Sequence, residues 1–165
     1  MGGEGCYVGG RMARRKDPKD ALSPRTRALL RLVEKILLDE DGIRVKHMFG
    51  HRAYLSDNCN TFALLGEWGF APKVGLDGRS EADPDSALPP APVLILVLDK
   101  PDSDTLEAAG GARFAPGGTR LKCWTLVPEI FLDDEDELEK LLRKALAHAN
   151  GRPAKVLKNI TPYLR

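Results

Sequence analysis

Apolar positions along this chain change period in an order that spells out its elements. From Leu29 the pattern is helical: Leu29, Leu32, Val33, Ile36 and Leu37 share one face, while Arg31, Glu34, Lys35 and Asp39 take the other. Ser23 suits the N-cap, Pro24 the first helical position, and Asp41-Gly42 the end. Ile43 to Leu55 and Thr61 to Trp68 then read as two strands around the polar turn Ser56 to Asn60, with a bulge or a close backbone approach expected at Gly50. Val93 to Leu98 is apolar at every position, which predicts a central strand covered on both faces. Asp102 to Ala109 predicts a short helix stopped by Gly110-Gly111.

Arg113 to Ala115 and Leu121 to Val127 give two further strands, joined through a hairpin turn at Pro116-Gly117-Gly118. In the second strand Leu121, Cys123, Thr125 and Val127 face one way. Lys122, Trp124 and Leu126 face the other, read as packing under the last helix. That helix opens at Asp134, with Glu137 in the capping-box position. It carries the stripe Leu138, Leu141, Leu142, Ala145, Leu146 and Ala149, and stops at Gly151 and Pro153. The fold class expected is α+β: a single domain with a mainly antiparallel sheet packed by an N-terminal and a C-terminal amphipathic helix. Residues 1–22 read as a disordered basic tail, 23–152 as the domain with a long loop insertion at 71–92, and 153–165 as a C-terminal extension.

Composition narrows the class. The chain has 165 residues, enough for one domain with a proper core. Its longest aliphatic run, Val93 to Leu98, is far too short to cross a bilayer, and the N-terminus has no signal-like apolar stretch. A cytoplasmic location without membrane contact is the expectation. Three widely spaced cysteines, Cys6, Cys59 and Cys123, fit a reducing compartment. The net charge of +1 conceals two blocks. Eight cations (Arg11, Arg14, Arg15, Lys16, Lys19, Arg25, Arg27, Arg31) face two acids between Arg11 and Arg31; eight acids face two cations between Asp77 and Glu107.

Chemical motifs are scarce. No dinucleotide, P-loop, nucleophile-elbow or HExxH pattern is present. His47 and His51 have a spacing that converges on a helix but not on a strand, so a metal site with Cys59, or a Cys59–histidine nucleophile pair, is not expected. No cofactor and no catalytic residue are expected. Two surfaces remain. Arg11, Arg14, Arg15, Lys16, Lys19, Arg25 and Arg27 form a candidate nucleic-acid contact of the weak, non-specific kind. Met48, Phe49, Arg52, Tyr54, Lys122 and Trp124 form a candidate interaction surface if their strands are neighbours.

Several short signatures recur in one order: Met48-Phe49-Gly50 after an amphipathic helix, Phe62-Ala63-Leu64 after a polar turn, an aliphatic strand ending at Lys100, Phe114 before a glycine turn, Lys122-Cys123-Trp124 to Val127-Pro128, and the final helix. This series, from about Ser23 to Asn150, resembles the N-terminal domain of the TfoX/Sxy family. The resemblance implies a small α+β module and a non-catalytic regulatory role. Its partner would be a protein such as a transcription regulator, since the family's competence members act with the cAMP receptor protein at promoters. The chain departs from the family at His51, where a second glycine is common, in the long 71–92 insertion, and in having no family C-terminal domain after Arg165. The alternative is a small-molecule-binding domain or enzyme of unknown chemistry, with a pocket between the Met48-to-Tyr54 strand and the insertion.

Overall fold

A strand that is apolar on both sides can be stable only between two covered faces, and the architecture follows from that requirement. The computed structural model describes residues 22–49, 51–68, 91–115 and 119–156. Helix α1 spans Pro24–Leu37, followed by β1 (Arg44–Met48), β2 (His51–Leu55), β3 (Thr61–Trp68) and β4 (Ala91–Val97). Then come α2 (Lys100–Ala108), β5 (Ala112–Arg113), β6 (Trp124–Leu126), α3 (Glu129–Leu132) and α4 (Glu135–Asn150). The strands form one sheet in the order β1-β2-β3-β4-β6-β5, every neighbouring pair antiparallel. This is a single α+β domain, with β4 central as its sequence requires.

Residues of β4 alternate between two cores. Leu94 and Leu96 join Leu29, Val33 and Leu37 of α1 and Leu138, Leu142 and Ala145 of α4 in the larger cluster. Ile95 points the other way, joining Ala53, Leu55, Leu64, Phe114 and Leu126 in a smaller cluster that contains no helical residue. Trp124 packs against this second cluster. Trp124 and Leu126 therefore lie on the sheet face away from α4, not beneath it as their sequence pattern suggested. The alternation Trp124, Thr125, Leu126, Val127 does hold: the Thr125 hydroxyl shares a hydrogen bond with that of Ser103 in α2 at 2.5 Å, and Val127 joins the helical core.

The helix starts are local and follow their caps. Ser23 Oγ accepts from Thr26 N, and Asp134 Oδ1 accepts from Glu137 N. Glu67 of β3 also reaches α1, accepting from Ser23 N at 2.8 Å and from the Thr26 hydroxyl at 2.6 Å. At the end of α1, Gly42 has φ +76°, and a Cβ there would sit 2.8 Å from Asp57 Cβ.

Three strand assignments change. The segment 43–55 is not one strand but the hairpin β1–β2, because Met48 pairs with His51. The β2–β3 register shifts at Tyr54/Leu55, while Gly50 lies outside the described residues. Strand β6 begins at Trp124, because the chain turns at 121–123, with Trp124 N donating to Leu121 O and Cys123 at φ +65°. The tail at 1–21, the insertion at 69–90, the glycine turn at 116–118 and the end of the C-terminal extension at 157–165 lie outside the described residues.

The C-terminus of α4 is held by the β2–β3 turn. Asn58 Nδ2 donates to the carbonyls of Ala149 and Arg152 at 3.0 and 2.9 Å. Asn60 Nδ2, fully buried, donates to Ala149 and Pro153 at 3.2 and 3.0 Å, and Lys155 N returns to Asn58 O. These amides satisfy carbonyls that a helix end leaves without partners. Asn60→Ala is expected to cost about 1–2 kcal/mol, measured by urea unfolding, because it removes the hydrogen bonds from a buried amide to the Ala149 and Pro153 carbonyls.

Candidate functional site

The tip of the β1–β2 hairpin carries an unusual residue for its position. A two-residue hairpin turn favours Asn-Gly, whose first residue tolerates positive φ. Here Phe49 occupies that place at φ +52° and is 53% exposed. Its ring centroid lies 5.8 Å from Phe114 and 6.3 Å from Trp124, both edge-on, while Phe114 and Trp124 stack at 6.1 Å. These rings come from opposite edges of the sheet, β1–β2 on one side and β5–β6 on the other. The sheet must therefore coil strongly, bringing its corners together over the second core, as accumulated strand twist does. We refer to Phe49, Phe114 and Trp124 as the aromatic clasp.

His51 completes it. Its ring lies 6.4 Å from Phe114, and its Nδ1 is 2.9 Å from Phe49 O. The ring rests on Gly66, where a Cβ would approach His51 Cγ to 2.9 Å, so only glycine fits beneath it.

Of the six residues grouped as an interaction surface, the fold brings together Met48, Phe49 and Trp124 on the clasp face. Lys122 is exposed in the turn before Trp124. Arg52 and Tyr54 belong to the opposite face, because side chains alternate along β2. There Arg52 Nε lies 2.8 Å from Glu34 Oε1, and the fully buried Tyr54 donates its hydroxyl to the same oxygen at 3.2 Å. The Arg52 guanidinium also sits 5.8 Å from the Tyr54 ring. These two residues tie α1 to the sheet and offer little to a partner.

Of the nucleic-acid candidates, Arg11, Arg14, Arg15, Lys16 and Lys19 lie outside the described residues. Arg25 is exposed and pairs with Glu129 at 2.5 Å and Asp133 at 3.4 Å, while Arg27 is half-buried.

His47 and His51 point to opposite faces, since one is paired with Arg52 and the other with Met48. Cys59 is buried beyond the far end of β2, more than about 13 Å from His51 by strand rise. No metal-binding group of three acidic, histidine or cysteine residues occurs among the described residues. A cavity of about 230 Å³ lies between α1, α3 and the start of β4, lined by Arg25, Ala28, Leu29, Leu32, Pro92, Leu132 and Asp133. Its lining includes no residue of the Met48-to-Tyr54 strand. No helix among the described residues is long and apolar enough to cross a membrane.

Compared with known proteins, the chain matches no family model, no curated protein and no solved structure.

Sequence reasoning passed over Phe114 and His51 as site residues. The available signal was Gly66, a glycine inside a strand, which marks a close approach by another group.

Burial, reinforced by the Glu34 carboxylate and opposed by Arg52, pushes the Tyr54 phenol well above its ordinary value. The folded state therefore retains a proton that the unfolded chain releases at about pH 10, and stability should fall as pH rises above about 10. Tyr54→Phe is expected to remove this alkaline loss while costing about 1 kcal/mol at neutral pH, read from urea midpoints across the two pH ranges.

Proposed function

We propose that this domain is a non-catalytic interaction module of the TfoX/Sxy N-terminal type. It acts in the cytoplasm by binding a transcription regulator, and its basic tail adds weak, non-specific contact with DNA. The observation that carries this reading is Phe49. A bulky aromatic residue occupies a left-handed turn position, half exposed, where asparagine would be less strained. Strain of that kind at the surface points to a contact made outside the domain, and aromatic residues are enriched in such contacts. Met48 and Trp124 flank the exposed ring, and Lys122 lies in the turn that leads into Trp124.

Phe49→Asn separates this role from a purely structural one. The substitution creates the Asn-Gly sequence that hairpin turns favour and lowers the cost of the positive φ, which offsets the lost ring contacts. Stability is expected to stay within about 1 kcal/mol of the parent chain. Binding to a purified cAMP receptor protein on a promoter duplex, followed by fluorescence anisotropy, is expected to weaken by about tenfold or more. A Phe49→Asn chain that loses stability but keeps its partner would reassign Phe49 to the fold alone.

The tail has its own measurement. Anisotropy of a labelled duplex should show affinity that falls steeply with salt, and that disappears when residues 1–22 are removed. Equal affinity with and without the tail would remove DNA contact from the proposal.

A further inference from the structure

Strand β1 is an edge: it pairs with β2, and no described strand pairs with its outer side. In a two-residue hairpin the closing pair, Met48 and His51, exchanges both backbone hydrogen bonds. Pairs then alternate, so Arg44, Lys46 and Met48 bond inward to β2, while Val45 and His47 turn their N–H and C=O groups outward. Those groups are a ready template for another strand.

The side chains along this edge are of one sign. Arg44 and Lys46 project on the clasp face, on the same side as Met48, and His47 is exposed on the other. Arg44 has Asp57 at 3.6 Å, whereas Lys46 has no acidic partner among the described residues. A second copy of this chain is a poor occupant. Antiparallel pairing of two β1 strands centred on Val45 or Lys46 sets Lys46 opposite Arg44 or opposite its own copy, which repels.

We propose that the β1 edge binds an extended acidic segment of a partner protein by strand addition. The segment carries acids at alternate positions opposite Arg44 and Lys46, an apolar residue opposite Met48, and another opposite Val45. Backbone pairing with Val45 and His47 supplies affinity, and the alternate acids supply selectivity. This deepens the interaction-module reading and rests on it, but it uses the strand edge rather than the Phe49 ring.

The test uses the full chain and a short labelled peptide of valines carrying two glutamates two residues apart, with lysine replacing glutamate in the control. At low salt the acidic peptide is expected to bind and the basic one not. His47→Pro removes an outward N–H without touching the β1–β2 ladder, and should weaken binding about tenfold or more. Lys46→Glu should reverse the preference between the two peptides, and it decides the matter if the proline variant melts early. Loss of peptide binding with retained binding of the transcription regulator would sink the edge alone, and the reverse would sink the clasp alone, so the two failures are read separately. Absence of binding by the acidic peptide, equal binding of both peptides, or unaltered affinity in a folded His47→Pro chain would each overturn the proposal.

Discussion

Two-sided burial of β4 is the constraint that organises this domain. Leu94, Leu96 and Leu98 face α1 and α4, while Ile95 faces a cluster to which no helix contributes. Apolar surface on that second side still has to leave water, at roughly 25 cal/mol per Å². Coiling of the sheet contributes to this by folding its two edges towards each other. Phe49 meets Phe114 and Trp124 from strands that lie at opposite ends of the sheet order. The clasp is thus a packing solution first. Its surface member, Phe49, exceeds what packing asks for, since a more relaxed residue would close the turn.

The division of labour between the faces is chemical as well as geometric. On the helical side, polar groups serve the fold: Glu67 caps α1, and Glu34 gathers Arg52 and Tyr54 into one largely buried arrangement. Ser103 and Thr125 join α2 to the sheet. On the other side the described rim is aromatic and cationic, with Lys46 and Lys122 near the hairpin and the 121–123 turn. A domain built this way keeps those two glutamates occupied internally and presents rings and cations on its far face.

Features fixed by neighbours in sequence were legible before the structure. Ser23-Pro24 and Asp134 place two helix starts, and the unbroken Val93-to-Leu98 run places the central strand, because capping and burial are written locally. The Phe49 turn was hidden because phenylalanine carries no turn signal, so 43–55 read as one strand. Trp124 was put on the wrong side because alternation tells which residues share a face, not which face a helix covers. The candidate surface separated for the same reason: Arg52 and Tyr54 alternate with their neighbours into the helical side. The clasp itself depends on cumulative twist across six strands, which no local window contains.

Asn58 and Asn60 have a consequence in time rather than in space. Their amides are satisfied by carbonyls 89 to 94 residues further along the chain. During synthesis the amides of the β2–β3 turn therefore stay hydrated until residue 153 has left the ribosome. Contacts of such long range raise the entropy cost of closure and slow folding. The sheet can begin to pair co-translationally, but its locked form belongs to the completed domain. A nascent chain stalled before Pro153 would hold the strands without the bolt, and would be open to proteases and to pairing with its neighbours on the polysome.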